Sequence, residues 1–282
     1  MMAEPVTIAA ALKAGSDQFQ ARGSARLEAE LLLAHVLGTS RTHLRTWPGK
    51  TLSLSQWQSF FALIERRAGG EPLAYITGHR EFWSLDLTVN RHTLIPRPET
   101  ERLVELALTR LPQDRETFAA DIGTGSGAIA LALAVARPRC RIVATDISSE
   151  ALAVATANAA RLAIHNVSFR AGTWFSPLAA ERFDLIVSNP PYVAEGDPHL
   201  AEGDLPAEPR RALVAGPSGT EMLVILAGGA QAHLAAGGWL LLEHGYDQAA
   251  AVAARLRAAG FDAVASWRDH AGTDRVTGGR RP

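Results

Sequence analysis

Apolar residues near the start of the chain recur at the spacing of a helix. In the first clear segment, Ser24 is a suitable N-cap and Gly38 a suitable stop. The apolar positions between them, three or four residues apart, are Leu27, Leu31, Ala34 and Leu37. The pattern therefore predicts an amphipathic helix between Ser24 and Gly38, with these residues on its apolar face.

A second helix is predicted further along, where Ser55 can cap an apolar run and Gly69, Gly70 and Pro72 end it. The apolar residues that share one face of this run are Trp57, Phe60, Phe61 and Ile64. Helical patterns thus extend over residues 7–70. They predict a small helical domain over residues 1–74.

The pattern changes to alternation over residues 75–95. Here Phe82, Leu85, Leu87 and Val89 approach a period of two, and a turn is expected near residues 90–91, which predicts a β-hairpin linker. The prolines of IPRPET prevent a helix from starting before Pro98, so an amphipathic helix is expected over residues 99–111. A larger domain over residues 96–282 begins there.

Short apolar runs alternate with helical patterns from Thr117 onward. The runs that read as strands are FAADI, RIVATD, VSFRA, FDLIVSN, GWLLLE and AVASW. This alternation predicts an α/β, doubly wound, mostly parallel sheet with helices on both faces. Residues 194–219 are rich in proline and glycine and are expected to form an exposed loop.

Composition narrows the class of protein. The 282 residues are enough for two domains, and 47% hydrophobic with 20% charged residues is typical of a globular chain with a substantial core. A net charge of -1 gives no overall positive field for nucleic acid or an anionic membrane. The chain shows no secretory signal pattern and no apolar run of about 18 residues, so we expect a cytoplasmic protein.

Cysteine and histidine usage gives no indication of a metal. Cys140 is the one cysteine, so an intrachain disulfide is excluded, and its apolar neighbours predict a buried strand position. The nine histidines are scattered and form no HExxH pair. We therefore expect no metal site.

A glycine-rich turn directly follows the first predicted strand of the larger domain. The segment ADIGTGSGAIA places Gly123, Gly125 and Gly127 where the backbone can pass close to a ligand at the carboxyl end of the sheet. Such glycines can also serve a tight turn alone. The pattern GTGSGAI resembles motif I of class I methyltransferases more than the GxGxxG of NAD-binding domains, which favours a cofactor without pyrophosphate.

An acidic residue ends the next predicted strand. Asp146 lies 19 residues after Gly127, where its carboxylate can accept hydrogen bonds from both hydroxyls of an adenosine ribose. The alternative is an aspartate that caps the following helix. Because the glycine-rich turn is adjacent, we favour the ribose role.

The tetrapeptide Asn189-Pro190-Pro191-Tyr192 follows the strand FDLIVS, again at the carboxyl edge of the sheet. The Asn189 side-chain oxygen and the Pro190 carbonyl could accept both N–H bonds of a planar NH2 group and orient its nitrogen. Tyr192 could pack its flat face on the same group. Adenine, guanine and glutamine all carry such a group, and the tetrapeptide does not choose among them.

The segments PLAYITGHREF, LIPRPETERLVE, TDIS, GTWFSPL, AEPRRAL, LLLEHGYDQ and DRVTGGR, together with the two motifs above, resemble the release factor glutamine methyltransferase family over nearly the whole chain. The resemblance implies a seven-stranded Rossmann-like sheet with an N-terminal helical domain. It implies S-adenosyl-L-methionine as cofactor, S-adenosyl-L-homocysteine as product, and the glutamine of the GGQ tripeptide in class 1 peptide chain release factors as substrate. No membrane or nucleic-acid partner is expected.

The resemblance also implies roles for residues that match the family's motifs. Those that would contact the cofactor are Gly123, Thr124, Gly125, Ser126, Gly127, Asp146, Trp174 (beside the adenine) and Asn189. Those that would bind and activate the glutamine are Asn189, Pro190, Pro191 and Tyr192. Arg97, Pro98 and Glu99 match a signature before the catalytic domain. The loop GPSGTEML departs from the family's usual Gly-Leu pairing.

Alternatives remain at this point. Trp174 could be an ordinary core aromatic, and Arg97 and Glu99 could form a surface ion pair. An adenine or guanine N-methyltransferase acting on DNA or RNA would use the same NPPY pocket on a flipped base, although the net charge of -1 gives it little support. A non-catalytic cofactor-binding module is disfavoured by the intact NPPY.

We expect the helical domain to dock the protein substrate.

Overall fold

The computed structural model describes residues 6–19 and 24–282. The chain divides into two compact units, Met1–Gly78 and His79–Pro282. The described residues of the first unit share one hydrophobic core, and the second unit has a core on each side of its main sheet. The site described below belongs to the second unit.

The described part of the first unit is helical. Its helices are α1 (Ile8–Asp17), α2 (Ala25–Leu37), α3 (Arg41–Thr46), α4 (Leu54–Ala68) and α5 (Leu73–Thr77). Helix α2 packs against α1 and α4, and the core between them includes Leu32, Leu33, Phe60 and Ile64. The small helical domain predicted from the apolar spacing is therefore present.

Helix α2 has the predicted length but not the predicted buried face. It ends at Gly38, whose φ of 58° is the left-handed conformation of a glycine C-cap. Its buried apolar residues are Ala29, Leu32, Leu33 and Ala34, whereas Leu27 is 40% exposed. The Ser24 hydroxyl donates to Glu28 instead of capping a backbone N–H. Apolar spacing was misleading because two glutamates, Glu28 and Glu30, lie on the buried face.

The N-cap of helix α4 is Ser53, two residues before the cap predicted at Ser55. Ser53 Oγ accepts from the Gln56 backbone N–H, and the Gln56 side chain accepts from the Ser53 N–H, which completes a capping box. Phe60 and Ile64 are buried as predicted, whereas Phe61 is 38% exposed. The helix ends at Gly69, as predicted.

A buried ion pair joins α2 to α4. Arg67 donates from Nε to Glu28 Oε2 at 2.7 Å, and the two side chains are 5% and 11% exposed. Removing one partner leaves a buried charge uncompensated, so we expect Glu28→Ala to destabilise this unit by about 3 to 5 kcal/mol. Hydrogen exchange of the α2 and α4 backbone amides in the full chain would measure this loss of stability.

The control for that variant is Asp17→Ala. Asp17 pairs with Lys13 at 2.8 Å, but both side chains are largely in solvent, at 46% and 77% exposure. Solvent screening makes such pairs weak, so exchange in α2 and α4 should change little. Equal effects of the two substitutions would contradict the stabilising role of the buried pair.

The second unit begins with a hairpin, as predicted, but the hairpin turn lies at residues 83–84 and not near residues 90–91. Residues 75–77, which the predicted linker included, belong to helix α5. The hairpin strands are β1 (His79–Phe82) and β2 (Leu85–Thr88), paired antiparallel with Phe82 opposite Leu85. Trp83 and Ser84 form the turn between them with φ of 52° and 58°, the left-handed values that a two-residue hairpin turn requires. Phe82, Leu87 and Val89 are buried.

The main sheet follows the alternation predicted from the sequence. In chain order its elements and those around it are α6 (Glu101–Leu108), β3 (Thr117–Ile122), α7 (Ala128–Ala136), β4 (Cys140–Asp146), α8 (Ser149–Arg161), β5 (Val167–Ala171), β6 (Phe183–Ser188), β7 (Val193–Ala194), β8 (Val214–Gly216), α9 (Glu221–Gly229), β9 (Leu234–Glu243), α10 (Ala249–Ala258), β10 (Asp262–Arg268) and β11 (Asp274–Arg280). The strand order is β10-β11-β9-β6-β3-β4-β5. All neighbours are parallel except β11, which is antiparallel to β9 and β10. This confirms a doubly wound, mostly parallel, seven-stranded sheet.

Apolar periodicity does not find strand β11. Its segment DRVTGGR contains Gly278 and Gly279, residues that weaken a strand prediction. The structure requires a small residue there because a Cβ on Gly278 would lie 2.4 Å from Leu241 Cδ2 and 2.6 Å from the Leu240 carbonyl. Cys140, by contrast, is 1% exposed at the start of β4, as predicted.

The proline- and glycine-rich stretch between β7 and β8 is less exposed than predicted. It contains three short 3-10 turns, and Glu208 within it is buried. The Glu208 carboxylate accepts from the Ile95 N–H at 3.0 Å and pairs with Arg97. The loop is therefore anchored to the segment before α6.

Two kinds of feature are not found in residues 6–19 and 24–282. No helix there combines the length and apolarity needed to cross a membrane. Nor does this part of the chain bring together three or more His, Cys, Asp or Glu side chains that could hold a metal ion.

Candidate active site

A cavity of about 470 Å³ lies at the carboxyl ends of β3, β4 and β6. Because β4 and β6 lie on opposite sides of β3, this is the position where doubly wound sheets bind ligands. The predicted site residues that line it are Gly123, Thr124, Gly125, Ser126, Asp146, Trp174, Asn189 and Pro191. Gly127, Pro190 and Tyr192 lie outside the lining.

The three glycines of the GTGSG turn have two different roles. Gly123 and Gly125 have φ of 76° and 57°, and a Cβ built on either would meet no atom within 4 Å, so both border open space. A Cβ on Gly127 would lie 3.1 Å from Leu131 Cδ1 and 3.2 Å from Ala155 Cβ. Gly127 therefore permits close packing at the start of α7, whereas the other two leave room for a ligand.

Asp146 is held by two backbone N–H groups. Its Oδ2 accepts from Gly125 and its Oδ1 from Ser148, each at 2.9 Å. The hydroxyl that caps α8 belongs to Ser148, which accepts from the Ala151 N–H at 3.2 Å. The capping function considered for Asp146 is thus performed by another residue, and the Asp146 carboxylate faces the cavity.

A second acidic residue, Asp121, stabilises the same turn and was missed by the sequence interpretation. Its Oδ2 accepts from Thr124 Oγ1 at 2.6 Å and from the Ala130 N–H at 3.2 Å. Burial raises the pKa of Asp121 to about 7. Its position at the end of a strand, two residues before Gly123, is the signal that could have identified it.

Trp174 serves both of the roles considered for it. It lines the cavity and also packs against the core formed by β6, β9 and α9. Its φ of 48° is unusual for a bulky residue, a local strain of the kind found at functional sites. Ile147, which also lines the cavity, is 64% exposed next to Asp146 and offers a second apolar surface that the sequence interpretation did not consider.

Asn189 and Tyr192 are fixed by residues from distant parts of the chain. Asn189 donates from Nδ2 to Thr100 Oγ1 at 3.1 Å. The Tyr192 hydroxyl donates to Glu243 Oε1 at 3.3 Å, and the Tyr192 ring packs against the core. Burial, followed by the charge of Glu243, raises the pKa of Tyr192. Asn189 thus faces the cavity, and Tyr192 lies behind it.

Arg97 does not pair with Glu99, the surface pair considered above. Its guanidinium contacts the buried Glu208 carboxylate instead. Arg97 and Thr100 line the cavity from the segment before α6, and Pro209 and Arg211 line it from the loop after Glu208. The Arg97–Glu208 pair therefore joins two walls of the site.

Comparison with known proteins agrees with this geometry. The family described as the methyltransferase small domain matches residues 101–242, and the PrmC N-terminal domain matches residues 10–78. A release factor glutamine methyltransferase from Xylella fastidiosa strain Temecula1 is 53% identical over 257 residues, 91% of this chain and 94% of that protein. One from Vibrio cholerae is 52% identical over 279 residues, 98% and 97% of the two chains.

A solved structure supports the fold independently. A methyltransferase from Pyrococcus furiosus has 21% sequence identity and a TM-score of 0.52, covering 70% of this chain and 89% of its own. At that identity the likeness concerns the fold alone. Full-length identity of about half is a much stronger relation, and it shows that this chain belongs to the release factor glutamine methyltransferase family.

Proposed function

We propose that this protein transfers a methyl group from S-adenosyl-L-methionine to the side-chain amide nitrogen, N5, of the glutamine in the GGQ tripeptide of class 1 peptide chain release factors. The observation that carries the proposal is Asn189. Its carboxamide lines the cavity with the NH2 group donated to Thr100, so its oxygen remains as an acceptor for a substrate NH2. The names of the relatives, release factor glutamine methyltransferases, support release factors as the substrate.

The cofactor end of the cavity suits an adenosine with an attached amino acid. Asp146 would accept from the ribose hydroxyls, and Trp174 and Ile147 offer apolar surfaces for the adenine. Gly123 and Gly125 leave the space that the rest of the molecule needs. When bound, the cofactor supplies a methyl group on a positively charged sulfur.

The substrate end must overcome the poor nucleophilicity of an amide. The lone pair of amide nitrogen is delocalised into its carbonyl, the resonance behind a rotation barrier of about 18 to 20 kcal/mol. An acceptor fixed on the N–H side orients the nitrogen and enriches it electronically. Asn189 exposes such an acceptor to the cavity. We propose the Pro190 carbonyl as the second acceptor, although Pro190 itself is buried behind the lining.

We further propose that residues 1–74 contribute to docking the release factor and that the reaction takes place in the cytoplasm, where peptide release occurs. No nucleic-acid or membrane partner is needed. The resulting N5-methylglutamine would modulate translation termination.

One experiment tests the substrate directly. Purified protein is incubated with methyl-labelled S-adenosyl-L-methionine and a class 1 release factor, and in parallel with total RNA and with DNA. Mass spectrometry then locates the label. We expect it on the GGQ glutamine alone; label on adenine or guanine instead would overturn the proposal.

Loss of the Asp146 carboxylate should weaken cofactor binding. Hydrogen bonds to a charged group contribute about 1.5 to 3 kcal/mol, so Asp146→Ala should bind S-adenosyl-L-methionine about 10-fold to 100-fold more weakly by calorimetry. The matched control is Glu150→Ala, which removes the same charge from the same region but lies outside the cavity lining. Unchanged affinity in Asp146→Ala would show that the ribose assignment is wrong.

A further inference from the structure

Three polar residues to which the sequence motifs assign no role lie close to NPPY. Thr100 precedes α6, Glu243 ends β9, and Gln248 precedes α10. Glu243 is 1% exposed, and its Oε2 has no hydrogen-bond partner in the part of the chain that the structure describes. A buried carboxylate is costly to keep, so its position next to the catalytic motif requires an explanation.

The orientation of the Asn189 carboxamide depends on its partner, Thr100. A hydroxyl has one proton to donate and two lone pairs to accept with. Thr100 lies close enough to Glu243 to lower the pKa of that carboxyl, although no well-aligned hydrogen bond joins them. An ionised carboxylate accepts only, so Glu243 in its charged form would draw the Thr100 proton toward itself. The Thr100 oxygen can then only accept, and the side of Asn189 that faces it must be the NH2.

This arrangement determines which end of Asn189 faces the cavity. With its NH2 group held by Thr100 at 3.1 Å, the carboxamide presents Oδ1 to a substrate. If the Thr100 proton pointed to Asn189, the flipped carboxamide would present NH2 to the substrate NH2. Two donors would then oppose each other, and the acceptor that the reaction needs would be lost.

The backbone of NPPY is held by the same region of the chain. Gln248 Nε2 donates to the Tyr192 carbonyl at 2.9 Å, and Gln248 Oε1 accepts from the Gly245 N–H at 2.9 Å. A Cβ on Gly219 would lie 2.8 Å from the Tyr192 carbonyl oxygen, so the loop packs tightly against the motif. The Tyr192 hydroxyl in turn donates to Glu243 Oε1.

We propose that Glu243 is a positioning residue for methyl transfer, which orients the Asn189 carboxamide through Thr100 and the Tyr192 side chain through its hydroxyl. The inference rests on the proposed function. Glu243 does not line the cavity, so it acts through these neighbours and not on the substrate. Its task is to keep the acceptor oxygen of Asn189 directed at the substrate nitrogen.

Because Glu243 can be protonated, its positioning role should make turnover depend on pH. Burial raises the pKa of Glu243 to about 7. A protonated Glu243 could donate to the Thr100 oxygen, and the Thr100 proton would then be free to point toward Asn189. Turnover should therefore fall as pH decreases through about 7. The titratable or charged groups that face Glu243, besides the neutral Thr100, are Tyr192 from the segment after β6, Arg275 from β11 and Glu99 from the turn before α6. The next residue in the chain, His244, has a pKa lowered by burial.

Two substitutions test the relay. Thr100→Val keeps the shape of the side chain but removes the hydroxyl, and Glu243→Gln keeps the shape but adds donors. Misorientation of a catalytic group costs on the order of 10-fold to 100-fold, and we expect kcat on a release factor to fall by that factor in both variants. Calorimetric affinity for S-adenosyl-L-methionine should remain within about twofold of wild type. Thr100→Ser, which restores the hydroxyl, should recover most of kcat.

The pH profile separates positioning from simple support of the fold. Wild-type kcat should show the inflection near pH 7, and Glu243→Gln should lack it. Asp121, whose pKa is also raised to about 7, is unchanged in that variant, so an inflection that persists would overturn the assignment to Glu243. Wild-type kcat in Thr100→Val, or no recovery in Thr100→Ser, would also overturn the relay. A wild-type protein that fails to methylate the release factor would instead refute the proposed function.

Discussion

Asn189→Ala is expected to lower the single-turnover rate of methyl transfer by about 100-fold to 1,000-fold, the effect of deleting one transition-state hydrogen bond. The substitution removes the acceptor that we propose for the substrate NH2, whereas the cavity walls that would bind the cofactor remain. Affinity for S-adenosyl-L-methionine should therefore stay close to wild type. Rapid-quench kinetics on a GGQ-containing release factor, with calorimetry in parallel, measure both quantities.

Asn189→Asp is the companion variant because it retains an acceptor of nearly the same shape. It places a negative charge near the positively charged sulfur and so stabilises the ground state, whose charge must disappear during the reaction. We expect reduced turnover with cofactor binding retained. If Asn189→Ala turns over at nearly the wild-type rate, Asn189 is not the acceptor that the mechanism requires.

The strands of the main sheet, apart from β11, were predictable because each is a local pattern. Strands β3, β4, β6 and β9 are short apolar runs next to helical patterns, and the sheet follows from their alternation. The exception, β11, contains glycines that its strand neighbours require, which is information about packing across the sheet. Likewise, the buried face of α2 could not be read from spacing because Glu28 is neutralised by Arg67, 39 residues away.

The site shows the same division between local and long-range information. The GTGSG turn, Asp146 and Asn189 stand at strand ends within short motifs, and the structure brings them to one cavity. The residues that hydrogen-bond to the NPPY motif lie far from it in the sequence. Thr100 is 89 residues from Asn189, and Glu243 is 51 residues from Tyr192, so a single sequence gives no sign that they meet. The pair between Arg97 and Glu208 could not be predicted either, because the two residues lie 111 positions apart in the sequence.

Deleting the first unit is expected to separate cofactor binding from protein methylation. The fragment His79–Pro282 contains the whole cavity lining and its own cores, so it should bind S-adenosyl-L-methionine with nearly wild-type affinity. If the first unit provides a second binding site for the release factor, its loss removes a multivalent gain of about 100-fold to 10,000-fold. We expect kcat/KM for an intact release factor to fall by at least the lower factor.

A short GGQ-containing peptide provides the internal control for this deletion. The peptide can occupy the cavity but is too small to engage a second docking surface, so the full chain and the fragment should methylate it with equal kcat/KM. Circular dichroism and cofactor calorimetry would establish that the fragment is folded. Because the chemistry is the same for both substrates, a docking role predicts a loss confined to the intact release factor. A folded fragment that methylates the release factor at the full rate would refute that role, and an equal loss on the peptide would place the defect in the catalytic unit.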